Sequence, residues 1–346
     1  MKILFIPRFY FYFSTVNIFV RFYHSGCLFR LTSCRQGWRQ FIQGDSMSEK
    51  GSVKKSLTAK EIQHYLGRLN HRGQCRADIT TLKSLHQAHM ENVPFENLDI
   101  VLGRDIELSL QALFAKVVTG SRGGFCYEVN YLFANLLSAL GFDVHLHAAR
   151  VYGDKGYGPA FDHMLLSVRL DNILYIADVG FGDSFIQPLP FMQGDEVCAA
   201  EKPDAVSLAS LNPGAVSQRE VNYKVVNSTD GLVLMQQKPA QAWQAQYLFS
   251  LQAFEISAFY DMCQYHQTSP QSSFTQKSLC SVATPTGRKT MSNGRFIETV
   301  NNMRQESECT EPGLYREMLQ QHFCLPLPQE ISEQSWQKLL AQKNSH

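Results

Sequence analysis

Residues 126–151 constrain this chain more than any other stretch. Val129, Leu132, Phe133, Leu136, Leu137 and Leu140 recur at helical spacing, and Gly141 follows where a helix commonly closes on a left-handed residue. Directly afterwards Asp143–Val151 (DVHLHAARV) shifts towards the alternation of a strand. The switch predicts a helical region before residue 141 and a β region after it.

Earlier signals agree. Thr58 and Glu61 form a T-x-x-E capping box ahead of Ile62, Tyr65, Leu66 and Leu69. A second helix is expected over Thr80–Asn92, stopped by Pro94, which disfavours helix at Val93. Beyond 141, His163–Leu170 and Ile173–Asp178 read as strands joined at a two-residue turn, Asp171-Asn172. Val221–Val226 and Leu232–Gln236 continue the β character, and 192–218 reads as a long polar loop. Later, Leu251–Tyr265 could be helical, Leu279–Thr284 is expected extended and Gly313–His322 helical. The expected organisation is an extension over 1–50 outside the fold, a helical bundle over 51–141, a β-barrel over 142–250, a mixed α/β lid over 251–328, and a polar, weakly ordered tail over 329–346.

Composition matters at two points. Net charge is +1, so no bulk positive field is available for nucleic acid or an anionic membrane. Residues 1–46 carry six basic residues against Asp45 alone, which makes them +5 and leaves the rest at −4. Their apolar run FYFYFSTVNIFV at 9–20 is shorter than the roughly 20 residues a membrane-crossing helix needs. It has the length of a signal-peptide core without a clear cleavage site, or belongs to an upstream extension, the reading preferred here.

The chain has nine cysteines and no C-x-x-C pair, which argues against a zinc ribbon or a thioredoxin-type pair. Cys126 differs from the other eight. It follows Gly123-Gly124-Phe125 and opens the amphipathic helix, where the positive end of the helix dipole favours thiolate. A buried structural cysteine is the competing reading. A cysteine nucleophile needs a base and an orienting group. If the turn is Asp171-Asn172, paired residue numbers total 343, so Asp178 faces Leu165 and shares a face with His163. Asp178 would then accept Nδ1–H of His163 and leave Nε2 for Cys126. A one-residue slip would separate them.

These motifs together resemble the arylamine N-acetyltransferase family. RGGFCYEVN at 122–130 is similar to that family's nucleophile motif, and VPFENLD at 93–99 to its upstream helical signature. DHMLLSV at 162–168 and IADVGFGDS at 176–184 are similar to its His and Asp motifs, and TSPQSSFTQ at 268–276 to part of its third domain. The resemblance implies a helical bundle, β-barrel and α/β lid around a Cys-His-Asp core of cysteine-protease type. The triad it implies is Cys126, His163 and Asp178. It also implies a cytoplasmic enzyme that moves an acetyl group from acetyl-CoA to an arylamine, arylhydrazine or N-hydroxyarylamine through an acetyl-cysteine, with no metal and no nucleic-acid or membrane partner. Backbone N–H groups at Cys126 and in the Gly180–Gly182 turn are candidate oxyanion donors.

Phe125 and Phe181 are candidate walls for an aromatic substrate, or core residues. Glu96 and Arg122 are expected to form a buried ion pair at the nucleophile turn, with solvent exposure as the alternative. The loop GYGPA at 156–160 is positioned to approach a pantetheine arm; Gly287 and Arg288 are lesser candidates, and the cofactor contacts stay unassigned. Rival readings are an amide synthase of the same family closing a macrolactam, a Cys-His-Asp hydrolase, and a catalytically silent binding protein on the same scaffold.

Overall fold

The computed structural model describes residues 56–193 and 215–341, together with the backbone of four short strands ahead of them. Those strands, β1 (Ile3–Ile6), β2 (Phe9–Ser14), β3 (Asn17–Arg21) and β4 (Leu28–Arg30), form an antiparallel sheet in sequence order within a unit of their own, Met1–Lys55. The apolar run at 9–20 is thus divided between two strands. Most of the expected loop at 192–218 lies outside the described residues, as do Cys27, Cys34 and Cys198.

The second unit, Ser56–His346, holds three layers. The first is helical: α1 (Ala59–Arg68), α2 (Ile79–Asn92), α3 (Leu98–Val101), α4 (Leu110–Phe114) and α5 (Cys126–Ala139). Thr58 and Glu61 close the capping box, with Glu61 N–H donating to Thr58 Oγ1 at 3.3 Å and Thr58 N–H to Glu61 Oε2 at 2.8 Å. α5 ends as its sequence predicts. Gly141 sits at φ +91°, its N–H donates to Ser138 O at 3.0 Å, and Phe142 N–H donates to Leu137 O at 3.0 Å. That pair of bonds is a Schellman closure.

The second layer is a nine-stranded antiparallel sheet. It comprises β6 (Asp143–Gly153), β7 (Gly156–Tyr157), β8 (His163–Leu170), β9 (Ile173–Ile176), β10 (Leu189–Gln193), β11 (Val216–Gln218), β12 (Val221–Ser228), β13 (Gly231–Gln237) and β14 (Gln244–Phe254). Its main path runs β10-β9-β8-β6-β14-β13-β12-β11, and β10 comes against β12, so the sheet nearly closes on itself. β14 reaches Phe254, and α6 begins only at Tyr260 (Tyr260–Thr268), so the helix expected over 251–265 starts too early in sequence. Pairing with β6 and β13 holds β14 as a strand despite its mixed pattern.

The third layer is a five-stranded sheet of β15 (Cys280–Thr284), β16 (Gly287–Ser292), β17 (Arg295–Val300), β18 (Met303–Glu308) and β5 (Phe95–Glu96), flanked by α7 (Ser273–Gln276), α8 (Pro312–Phe323) and α9 (Glu333–Leu340). β5 comes from the helical region, so the third sheet is completed by VPFEN rather than by local sequence alone. Asn97 fastens the same junction, donating through Nδ2 to Phe274 O and Lys277 O, both at 2.8 Å, and accepting Leu279 N–H at 2.7 Å.

The polar tail expected from 329 onward contains α9. Ser332 caps it, and Leu339 is buried against Tyr315, Leu319 and Phe323. Trp336, Leu339 and Leu340 give this short helix one narrow apolar stripe, which is why overall polarity concealed it. Among the described residues no helix is long and apolar enough to cross a membrane, and no cluster of His, Cys, Asp or Glu could hold a metal ion.

Candidate active site

The turn before Cys126 is built on β5. Gly124 N–H donates to Pro94 O at 3.3 Å and Glu96 N–H to Gly124 O at 3.0 Å. A Cβ on Gly123 would lie 2.0 Å from Pro94 O, so only glycine lets the two backbones approach. Arg122, just before the turn, donates through Nε and Nη2 to Glu96 Oε1 at 3.0 and 2.8 Å, and both side chains are buried. The expected ion pair is therefore present, and it is one edge of a larger cluster. Asp99 lies 3.0 Å from Arg122 and 2.8 Å from Lys116, and Lys116 lies 2.7 Å from Glu128. Glu128 Oε2 accepts the Phe125 N–H at 3.1 Å, which ties the cluster to the first turn of α5. Burial raises Glu128 to about 7, against the lowering pull of Lys116.

Cys126 is the first residue of α5 and only 2% exposed. Burial pushes its thiol well above the ordinary range, and the charge of Asp178 adds to the rise. A hydrogen bond with the Met164 backbone opposes it. Burial therefore opposes the pull towards thiolate expected from the helix terminus.

The hairpin register is the predicted one. Leu170 pairs with Ile173 and Ser167 with Ile176, and Asp171 and Asn172 both take positive φ, +47° and +59°. Ala177 N–H donates to Leu166 O at 3.0 Å, which continues the pairing towards Asp178. His163 and Asp178 accordingly share a face and meet at 2.7 Å, both almost fully buried. The ring nitrogen at Asp178 is Nε2, not the expected Nδ1. Register fixes which face a side chain takes and leaves the turn of the ring open. Nδ1 is the nitrogen left over.

Asp178 has two further constraints. Its Oδ1 accepts Asn130 Nδ2–H and Gly180 N–H, both at 2.9 Å. Burial works to raise its carboxyl, but His163, Asn130 and Gly180 together bring it below the ordinary carboxylate range. The Gly180 N–H is committed to this bond, so that member of the expected oxyanion turn is unavailable. A Cβ on Gly180 would lie 2.8 Å from Cys126 Cα and 2.7 Å from Asn130 Nδ2. The corner after Asp178 therefore rests directly on the start of α5 at Cys126.

Asn130 escaped the sequence reading. It lies one helical turn after Cys126, donates to Met164 O at 2.6 Å and accepts Val179 N–H at 2.9 Å. Its signal was a polar residue four positions from the cysteine inside an apolar stripe. Tyr247, on β14, was also missed: its ring lies 5.3 Å from that of His163. Of the two candidate substrate walls, Phe181 is half-buried with its ring 5.0 Å from His163. Phe125 is fully buried between Tyr127 and Phe274, at 5.0 and 5.6 Å.

A family model described as N-acetyltransferase matches residues 78–331. The arylamine N-acetyltransferase of Gallus gallus, pineal gland isozyme NAT-3, is 33% identical over 258 residues, which cover 72% of this chain and 87% of that protein. Arylamine N-acetyltransferase 1 of Homo sapiens is 33% identical over 232 residues, 66% of this chain and 79% of its own. Among solved structures, the arylamine N-acetyltransferase from Salmonella typhimurium superposes with a TM-score of 0.69 at 26% identity, covering 81% of this chain and 97% of that one. The Mycobacterium marinum arylamine N-acetyltransferase in complex with CoA gives a TM-score of 0.66 at 25% identity, with 76% and 92% covered.

Proposed function

The chain belongs to the arylamine N-acetyltransferase family and is an acyltransferase, and we propose that it carries acetyl from acetyl-CoA to arylamines, arylhydrazines or N-hydroxyarylamines through an acetylated Cys126. The observation that carries this reading is the buried His163–Asp178 pair, bonded at 2.7 Å, beside a glycine corner that touches Cys126.

In the first half-reaction Sγ of Cys126 attacks the thioester carbonyl. Burial disfavours the thiolate, so in this scheme His163 takes the thiol proton as the S–C bond forms. The carbon–sulfur bond to CoA breaks, and the proton leaves with the CoA thiol. In the second half an amine nitrogen attacks the acetyl carbonyl, Sγ departs, and His163 returns the amine's proton to sulfur. Asp178, held by Asn130 and Gly180, fixes the ring and stabilises its cationic form. Aromatic amines are weakly basic and hence largely unprotonated at neutral pH, which suits this second attack. The Cys126 N–H, at the start of a helix, is the oxyanion donor in this scheme. Phe181, against His163, is the wall for a flat acceptor.

The six described cysteines are all free, in keeping with the cytoplasmic site we assign to this chemistry. Incubation with acetyl-CoA and no acceptor, followed by mass spectrometry, tests the proposal. One acetyl group on Cys126, absent from Cys126→Ala, is expected. Release of CoA without an adduct would overturn it.

A further inference from the structure

We infer that His266, on α6, and Asp162 form a positioning pair for the proposed base, and that through it one side chain steadies both the residue ahead of His163 and the residue after Cys126. The inference rests on the acetyl-cysteine reading above, which gives Cys126 and His163 their roles.

Asp162 immediately precedes His163, and Tyr127 immediately follows Cys126. His266 meets both. Its Nε2 lies 3.3 Å from Asp162 Oδ1. Its ring stacks on that of Tyr127, with centroids 6.0 Å apart and planes at 29°. The residue is only 4% exposed. Its other nitrogen, Nδ1, lies 3.0 Å from Ser272 Oγ, and that oxygen also accepts the Phe274 N–H at 3.2 Å. The start of α7 therefore fixes one edge of the ring and leaves the other for Asp162. Among the described residues Nε2 makes no aligned hydrogen bond, so the nearby carboxylate is what offsets its burial. Tyr127 completes the circuit, its hydroxyl donating to Phe161 O at 2.7 Å.

The backbone here needs such a hold. Phe161 takes φ +64°, a conformation costly for an aromatic residue, two positions before His163. Backbone of this kind persists only where its surroundings over-determine it. The Phe161 ring packs against Phe254 and Phe259, with centroids at 4.8 and 5.3 Å, its carbonyl is held by Tyr127, and the next residue is held by His266. Charge alone would act the other way. Besides burial and Asp178, the charge of Asp162 raises the Cys126 thiol, so removing it should ease ionisation of the sulfur. A role through position and a role through charge therefore predict opposite signs.

Single-turnover acetylation of Cys126 by acetyl-CoA, read beside alkylation of the same thiol by iodoacetamide across pH, tests the pair in the full chain. Asp162→Asn replaces a side chain that is 17% exposed and should keep the parent's urea midpoint. It should slow acetylation at saturating acetyl-CoA roughly tenfold or more, as a small displacement of a reacting group does, with KM unchanged. His266→Leu should cost a similar factor, and His266→Gln, which keeps an N–H on that side, should recover part of it. The double variant Asp162→Asn/His266→Leu should be no slower than the slower single one. Alkylation of Asp162→Asn near neutral pH should be slower than in the parent, against the sign that charge removal alone would give. Faster alkylation with unchanged acetylation would reduce Asp162 to a charge and overturn the inference. So would additive losses in the double variant. Acetylation of Asp162→Asn at the parent rate overturns it whatever His266→Leu does to folding. A parent protein that takes up no acetyl group would sink the acetyl-cysteine reading itself, so the two failures are told apart.

Discussion

At the residue scale, the setting of Cys126 is made by its buried neighbours as well as by the helix terminus. Asp178 is positioned by three donors, and Asn130, on α5, is the one that also bonds Val179 and Met164, the residue after His163. Replacing Asp178 with Asn removes the charge that, in the proposed scheme, stabilises His163 while it holds the transferred proton. The expected loss is about 10⁴ in the rate of Cys126 acetylation, with folding retained. Stopped-flow release of CoA would read it, and a loss under tenfold would argue against the proton-transfer role. Gly180 offers a steric test. Alanine there would place a methyl group 2.8 Å from Cys126 Cα, against backbone that cannot yield cheaply. Gly180→Ala should cost about 1–3 kcal/mol in urea unfolding and slow acetylation together, whereas an unchanged midpoint would mean that the corner can move.

At the element scale, the hairpin and the charged cluster differ in how far sequence could foretell them. The β8–β9 register followed from one turn and the period of a strand, so the His163–Asp178 meeting was readable in advance. Which ring nitrogen meets Asp178 was not, because side-chain torsion carries no sequence period. Nor could Lys116, Asp99 and Glu128 be joined to Glu96–Arg122, since their contacts cross three separate segments. The thiol's shift was missed for a related reason: burial is a property of the assembled layers. Glu96→Ala leaves Arg122 buried beside Asp99 alone and should destabilise by about 3–5 kcal/mol, seen as a lower urea midpoint; a stable, fully active variant would remove the pair from the account.

Glu128 sets a pH dependence within the same element. Its carboxyl is raised from 4.5 in a free chain to about 7 in the folded protein. The native state therefore holds this proton more tightly than the unfolded chain. Stability from this group is full below about 4.5, declines as pH rises towards 7 and is flat above. The change is at most about 3 kcal/mol. Urea midpoints at pH 5 and pH 8 should differ in the parent and converge in Glu128→Gln, and equal slopes in both would sink the assignment.

At the scale of the whole second unit, the third layer is more than a cover. β5 joins its sheet to the helical region, pairing Glu96 with Cys280, so the strand that carries the partner of Arg122 is held from the side of α8 and α9. α9 closes that layer. Leu339 is fully buried, and its carbonyl accepts the Ser278 hydroxyl at 3.0 Å. A composition-based reading could not see this, because an eight-residue helix with a narrow apolar stripe looks polar on average. Leu339→Ala should cost about 2–5 kcal/mol, as for other large-to-small core changes. If β5 couples the layers, that loss appears as one cooperative transition, and Cys126 acetylation fails at the same urea concentration as bulk structure. A variant in which the third layer melts first while acetylation persists would show that the turn before Cys126 stands without it.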